Sequence, residues 1–419
     1  MIHFLTNAEN RNFLRLWLAQ LISQFGDRIY QLALVGLIAE RSPGSAMDLA
    51  KLIAFTIIPV FVVQPFAGVL VDRFDRRTTL FVCDLIRGGL VLLIPFALMS
   101  QHSMVPIYAV VFLVFCFSRF YVPAKMSIIP DLVESASLLH ANSLITTTGM
   151  IAAALGGAFG AFLIEYYGAR TGFIIDAVAF FISAVFLFNM NIPWKLRLSK
   201  ARIIDRGREV IRAVKQSIFE EIKEGIVYLI RHKELRFVIS MIFLLFGAAG
   251  AIYVVLIVFV QETFGSVTKD LGILMVSLVV GLFVGVIFYG RVGKHFLWYR
   301  TIYMCLMGGG MMLVACAVFI SRYPNILFAC GLTFILGLTI GPIFIATNTM
   351  VHLFSDEHMR GKVFSALEVI IHLAFLIMLF ISSWLSHHLS SMVILVMVGG
   401  ICAVVGLAGW MIRPNANMK

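Results

Sequence analysis

The stretch Gly68-Val-Leu-Val-Asp72-Arg73-Phe-Asp75-Arg76-Arg77 contains a short charged loop between two long apolar segments, 49–71 and 79–100. Each segment is long enough to cross a bilayer, because a transmembrane helix needs about 20 mostly apolar residues. The carboxylates and arginines of the loop would then stand at the ends of two membrane helices. The stretch therefore predicts a membrane protein whose helices are joined by short loops.

Similar apolar segments follow one another along nearly the whole chain of 419 residues. The chain is 61% hydrophobic and 13% charged, whereas soluble domains are about 45–50% apolar and about 25% charged. The segments are too long and uniformly apolar for the strands of an outer-membrane barrel. The first, from Arg11 to Glu40, exceeds the core of a signal peptide, so we expect it to remain in the mature protein. We predict an all-α membrane protein with twelve transmembrane helices, at 13–39, 49–71, 79–100, 105–130, 141–166, 171–192, 236–262, 270–292, 299–321, 325–350, 364–386 and 390–412.

One long polar interruption, beginning at Pro193, divides these helices into two sets of six. The predicted units are an N-terminal six-helix bundle over 1–192, a basic cytoplasmic linker over 193–235 and a C-terminal six-helix bundle over 236–419. Apolar residues recur near helical spacing in the linker, which predicts an amphipathic helix at the membrane surface, with a solvated tether as the alternative. These residues are Ile218, Phe219, Ile222, Ile226, Tyr228 and Leu229.

The formal net charge of +11 is unevenly distributed among the loops. If the N-terminus is cytoplasmic, the inside loops and tails carry the basic linker and Arg11, Arg15, Arg73, Arg76, Arg77, Arg291, Lys294, Arg300, Arg360, Lys362, Arg413 and Lys419. The outside loops carry only Arg41, Lys51, Arg170, Lys269 and Arg322. This asymmetry predicts a multi-pass protein of the bacterial cytoplasmic membrane with both termini inside. No basic domain outside the membrane is predicted, so nucleic-acid binding is not expected.

The six cysteines are scattered singly within apolar segments, without the spacing of a disulfide framework or a metal site. No metal and no cofactor is therefore expected.

The charged loop resembles the signature G-x-L-A-D-R-x-G-R-R of the major facilitator superfamily, matching it at Gly68, Leu70, Asp72, Arg73, Arg76 and Arg77. The resemblance implies two pseudo-symmetric six-helix bundles that bind substrate near the bilayer midplane and expose it alternately to either side. It also implies that the loop is a conformational switch whose ion pairs hold one conformer and break in the other. Asp75 replaces the usual glycine of the signature.

Further stretches resemble the branch of this superfamily that contains the enterobactin exporter and the macrolide-efflux proteins. They are Gln20 to Asp27, Pro123-Ala-Lys125, Ile129 to Leu132, Ala141 to Leu144, Asp176-Ala177, Glu224 to Tyr228 and Arg360 to Ser365. The fifth span is similar to the glycine-rich span of antiporters, which favours export, although its glycines also suit ordinary helix packing. Those glycines are Gly149, Gly156, Gly157 and Gly160.

Charged side chains inside the predicted spans are the candidate site residues, because the bilayer interior disfavours them unless they face a cavity or one another. Asp27 is one proton-coupling candidate; another is Glu368 with His372, four residues apart on one helix face, where a carboxylate and an imidazole can exchange a proton. Arg119 lies where the superfamily often has an arginine involved in proton coupling. Structural ion pairing is the alternative for Asp27 with Arg28, and the favoured role for Asp84 with Arg87.

Aromatic side chains near Arg119 are expected to line a pocket, because aromatic faces adapt to varied apolar substrates. The candidate substrate-cavity residues are Asp27, Arg28, Asp84, Arg87, Phe115, Phe120 and Tyr121. Asp176 and Glu262 lie near the outer ends of their predicted spans, where interfacial exposure is as good an explanation as a functional role.

These features predict a monomeric, proton-coupled exporter of an amphipathic small molecule, such as a drug or siderophore, working within membrane lipid. Import is not excluded, and a lysophospholipid flippase is the alternative, since Pro123-Ala-Lys125 and Ala141-Asn142 also resemble that related family. From another class, a non-transporting sensor or scaffold remains open. An enzyme is not expected, because the chain lacks the nucleophile elbow, the metalloprotease helix and the phosphate-binding loop of known membrane enzymes and pumps.

Overall fold

The computed structural model describes residues 10–71, 74–97, 104–134, 137–190, 220, 222–292, 298–354 and 359–412. Within these ranges every regular element is helical, so the predicted all-α class is confirmed. The chain forms two compact units. The first contains Met1–Arg41 and Lys51–Phe219, and the second contains Ser42–Ala50 and Glu220–Lys419.

The first seven helices run from α1 to α7, with a 3-10 turn at Ile129–Asp131 and a π turn at Ala152–Gly156. In chain order they are α1 Arg11–Arg41, α2 Ala46–Val62, α3 Gln64–Val71, α4 Arg76–Ala97, α5 Val105–Ile128, α6 Leu138–Ile151 and α7 Gly157–Phe188.

The remaining helices belong to the second unit. They are α8 Lys233–Phe264, α9 Lys269–Val292, α10 Trp298–Arg322, α11 Ile326–Phe354, α12 Arg360–Leu385 and α13 Ser391–Ile412.

Nine helical segments of the described residues are long and apolar enough to span a membrane, so the predicted count of twelve is not reproduced in full. One of the nine, His140–Phe188, covers the predicted span 141–166 and most of the next, 171–192. They meet at Gly168, whose φ of 75° and ψ of 165° break the helix. The first two predicted spans are helical but fall outside the nine, because α1 carries charges and glutamines and α2 is only 17 residues long.

The second unit is built from helix pairs that touch backbone to backbone. A Cβ atom at Gly281 of α9 would overlap the carbonyl oxygen of Phe334 in α11, and a Cβ atom at Gly310 of α10 would lie 2.5 Å from the carbonyl oxygen of Gly399 in α13. α8 and α12 pair in the same way at Gly250. Small residues permit such contact between membrane helices.

Part of the predicted linker is a helix that belongs to the second unit. Residues 222–231 are helical and stop one residue before α8, while residues 191–219 lie outside the described part. Gly225 packs on the backbone of Lys362, whose ammonium group binds Glu224 at 2.5 Å. Of the apolar residues that predicted the helix, Leu229 is fully buried, and Ile226 and Tyr228 pack against the same core.

Candidate functional site

A buried ion pair lies in the core of the first unit, on α4. Arg87 donates a hydrogen bond to Asp84 one turn earlier in the helix, and their side chains are 3% and 0% exposed. Ser183 of α7 donates a second hydrogen bond to Asp84, with 2.6 Å between the oxygens. The guanidinium carbon of Arg87 lies 4.4 Å from the ring centre of Tyr121 and 4.3 Å from that of Phe180. The pair thus ties α4 to α5 and α7.

Asp176 of α7 is a second buried acid beside this pair. It is 0% exposed, and neither carboxylate oxygen has a hydrogen-bond partner among the described residues. Its carboxylate packs on Gly26 of α1, where an added Cβ would lie only 2.5 Å from Asp176 Oδ1. The hydroxyl of Tyr30, also buried, interacts electrostatically with Asp176 and Asp27. A polar group so enclosed is costly when it is charged and unpaired.

Asp27 follows Gly26 in α1 and is half-buried. It interacts electrostatically with Arg87, Arg28 and Lys125. It also contributes to the electrostatic environment of Asp176. Arg28 itself donates a hydrogen bond of 3.1 Å to Gln31 on the exposed side of α1. Asp27 thus links the half-exposed face of α1 to the buried acids.

The aromatic candidates lie on α5 next to this cluster. Tyr121 is buried and covers Arg87, while Phe115 is half-buried with its ring centre 6.3 Å from that of Tyr30. Phe120 packs against the apolar core of the unit. Arg119 points elsewhere, since its guanidinium donates a hydrogen bond of 3.4 Å to Gln64 of α3. Phe115 and Tyr121 therefore adjoin the charged cluster.

Glu368 and His372 lie on α12 of the second unit, both half-buried. The ring nitrogen Nδ1 of His372 lies 2.8 Å from the backbone carbonyl oxygen of Glu368. The imidazole of His372 therefore contacts the helix backbone one turn earlier, at Glu368.

The charged loop anchors the first unit internally. Asp75, in place of the usual glycine, caps α4 by accepting hydrogen bonds from the backbone nitrogen and hydroxyl of Thr78 at 2.8 and 2.6 Å. Arg76 binds Asp131 at 2.6 Å. Arg77 is buried and donates to the carbonyl oxygens of Leu187, at 3.0 Å, and Phe188. Gly68 lies in α3, and Asp72 and Arg73 lie outside the described residues, so their role as a switch stays a prediction.

Two residues of the cluster, Tyr30 and Lys125, were not among the predicted site residues. For Asp176 an interfacial position and a functional role were equally expected, but it is fully buried because α1 packs closely against α7 at this residue. Glu262, for which the same two roles were expected, is exposed near the end of α8. The two residues differ in their distance from a helix end. Asp176 lies eight residues beyond the helix break at Gly168, whereas Glu262 lies three residues before Gly265, which ends its helix.

Long apolar helices in two units, with charged groups sealed inside one of them, define the class of multi-pass membrane transporters. The chain matches the family model described as Major Facilitator Superfamily over residues 16–319 and 238–419. It belongs to that superfamily.

Relatives of this chain include proteins with named activities. It is 28% identical to the MFS-type transporter YkuC of Bacillus subtilis (strain 168), over 85% of this chain and 81% of YkuC. It is 24% identical to the lysophospholipid transporter LplT of Yersinia enterocolitica, over 81% of this chain and 78% of LplT. It is also 24% identical to macrolide efflux protein A of Streptococcus pyogenes, over 68% and 67% of the two chains.

A crystal structure of a POT family transporter in complex with 5-aminolevulinic acid is similar in fold, with a TM-score of 0.71. The similarity covers 97% of each chain at 11% identity, so it speaks for the fold alone.

Proposed function

We propose that this transporter exports an amphipathic small molecule in exchange for protons, and that the proton binds at Asp176 and Asp27. The observation that carries the proposal is the enclosed carboxylate of Asp176, whose two oxygens have no hydrogen-bond partner among the described residues. A carboxylate in such surroundings is much less costly when it carries a proton. We therefore expect the protonated and the deprotonated forms of Asp176 to favour different conformations of the transporter.

Asp27 supplies the route for the proton. It is half-buried and adjoins Gly26, on which Asp176 packs, so it can pass a proton between the accessible face of α1 and the interior. Coupling requires only that proton and substrate favour the two conformations to different extents. Arg87 is already held by Asp84 and two aromatic rings, and it provides a fixed positive charge beside the site.

Export of an amphipathic molecule is supported by similarity to a macrolide efflux protein and by the glycine-rich fifth span. The positive charge of the predicted inner loops supports a cytoplasmic position for both termini. A proton gradient directed into the cell would then drive export, because each entering proton moves down that gradient.

The test is transport in proteoliposomes that contain the purified protein and an imposed pH gradient. A panel of amphipathic dyes and siderophores is offered, and proton movement is followed with an enclosed pH indicator. We expect gradient-driven dye flux in the native protein. Asp176→Asn and Asp27→Asn should each lower that flux at least tenfold and leave dye binding measurable.

The matched control is Glu262→Gln, which removes an exposed carboxylate from a membrane helix and should leave coupling unchanged. Equal coupling in the native protein, Asp27→Asn and Asp176→Asn would overturn the proposal. Loss of coupling in Glu368→Gln alone would place the proton site on α12 instead.

A second candidate function is movement of lysophospholipids, favoured by the similarity to LplT over most of both chains. In the same vesicles, a fluorescent lysophospholipid would then cross the bilayer without any pH gradient, and Asp176→Asn would leave that movement intact.

A further inference from the structure

The second unit contains an apolar cavity of about 380 Å³. Five helices, α8, α9, α10, α11 and α13, contribute to its wall. Every described residue of the wall is uncharged, and most are aliphatic. Representative wall residues are Leu256, Leu278, Leu306, Leu313, Ile340 and Leu395.

The wall provides little for water to bind. Thr333 is one of its few polar residues, and its hydroxyl lies 3.0 Å from the carbonyl oxygen of Ala329 and 3.2 Å from that of Cys330, both in its own helix. The ring of Tyr253 packs edge-on against Phe375. Since an enclosed water molecule needs two to four polar partners, the natural occupant of this space is apolar.

The cavity arises from the way in which helix pairs meet. α9 with α11 and α10 with α13 are already in backbone contact at their glycines, as is α8 with α12. Contacts of α8 with α9 and α11 are much sparser than those within the pairs. Where α8 faces α9 and α11 the helices do not close on one another, and the gap that remains is open to an apolar group.

The two units use corresponding helices differently. In the first unit, the helices α1, α4, α5 and α7, which hold the first, third, fourth and sixth predicted spans, carry the cluster of Asp27, Arg87, Tyr121 and Asp176. In the second unit the equivalent segments, α8, α10, α11 and α13, line the apolar cavity instead. The core of the first unit therefore holds charged side chains, whereas the core of the second unit has space for an apolar group.

We propose that this cavity binds the hydrocarbon tail of a single-chain amphiphile such as a lysophospholipid. The inference rests on the proposed transport of an amphipathic molecule and assigns a place to its apolar part. A cavity of about 150 Å³ lined by aliphatic side chains holds a benzene molecule. The cavity here is about two and a half times that size, which provides room for a chain of many methylene groups.

The test is photocrosslinking of the full-length protein in vesicles without any ion gradient. The probe is a lysophosphatidylcholine that carries a diazirine near the end of its acyl chain, and the labelled peptides are identified by mass spectrometry. We expect labelling to concentrate on α8 and α10 wall residues, to saturate at low probe content, and to fall at least fivefold with excess unlabelled lysophosphatidylcholine.

A filling substitution tests the location. Ala249 lines the cavity and is exposed to it, so Ala249→Phe should reduce the labelling of wall peptides at least fivefold. Val404→Phe, at an exposed position outside the wall, is the matched control and should leave labelling unchanged. Labelling that is spread over exposed helix faces and resists competition in the native protein would overturn the inference, whatever either variant does.

Two further outcomes separate the alternatives. Equally strong competition by a diacyl phospholipid would identify the occupant as ordinary membrane lipid and overturn the assignment to a single-chain amphiphile. If competition fails while Asp176→Asn still abolishes gradient-driven flux, the proton-coupled function stands and only the tail site falls.

Discussion

Arg87 and Asp84 form an ion pair one helical turn apart, with side chains 3% and 0% exposed, and two aromatic rings pack against the guanidinium. Because both side chains are buried, bulk solvent does not reach either charge when its partner is removed. Arg87→Met would leave Asp84 charged and buried, so we expect it to lower the free energy of unfolding by about 3–5 kcal/mol.

The double variant Asp84→Leu with Arg87→Met should recover most of that loss, because it removes both charges together. Unfolding in detergent, followed by circular dichroism during titration with dodecyl sulfate, measures these differences. Additive losses in the double variant would contradict a direct pairing between the two residues.

Gly26 and Gly89 provide a second comparison within the first unit. Gly26→Ala would place a methyl group 2.5 Å from Asp176 Oδ1 and 2.9 Å from Ala179 Cβ. We expect a loss of about 1–3 kcal/mol from this overlap, with reduced proton coupling because Asp176 must move. A Cβ at Gly89 meets no atom within 4 Å, so Gly89→Ala should be neutral or stabilising by up to about 1 kcal/mol. Similar behaviour of the two variants would argue against close packing at Asp176.

Two adjacent arginines of the loop should differ sharply in their contribution to stability. Arg77 is 4% exposed and binds two carbonyl oxygens near the end of α7. Arg77→Ala should cost about 2–3 kcal/mol, because hydrogen bonds from a charged donor are lost at a buried position. Arg76→Ala should cost about 1 kcal/mol or less, because Arg76 is itself 37% exposed and water can replace its contacts with Asp131 and with the carbonyl oxygen of Ser127.

Thermal unfolding in detergent with fluorescence detection compares the two loop variants under identical conditions. A larger loss for Arg76→Ala would show that the exposed ion pair, and not the buried guanidinium, anchors the loop.

Gly281 and Gly290 both lie in α9 and test the backbone contact in the second unit. A methyl group at Gly281 would overlap the carbonyl oxygen of Phe334, a backbone atom with little freedom to move. Gly281→Ala should therefore destabilise the protein by about 1–3 kcal/mol. Gly290→Ala meets nothing within 4 Å and should not destabilise it. The same dodecyl sulfate titration measures both, and equal stability would exclude a tight α9–α11 contact.

The fold was largely predictable from sequence because apolar segments of membrane length leave the backbone no alternative to the helix. The i, i+3 spacing of Asp84 and Arg87 likewise predicted their contact, since that spacing places two side chains on one face. The capping role of Asp75 was also within reach, because an aspartate just before a helix is a common N-cap.

The enclosure of Asp176 could not be predicted in the same way. Its burial depends on how α1 packs along α7, and a single sequence does not reveal which face of a membrane helix meets its neighbours. The apolar cavity could not be predicted for the same reason, because its wall residues belong to helices whose sequences resemble any other apolar span. The pairing of α9 with α11 through facing glycines determines that space.

The π turn at Ala152–Gly156 sets how the part of the fifth span before it is rotated relative to the part after it. Upstream of it, Thr148 accepts a hydrogen bond of 2.8 Å from Trp17, and downstream of it Gly160 rests on Ile29, so α1 is contacted from both sides of the turn. Removing a single alanine would restore a regular α-helix and rotate one contact by about 100° against the other. Only one of the two contacts could then still face α1, so the extra residue of the π turn is what lets a single span hold α1 at two places.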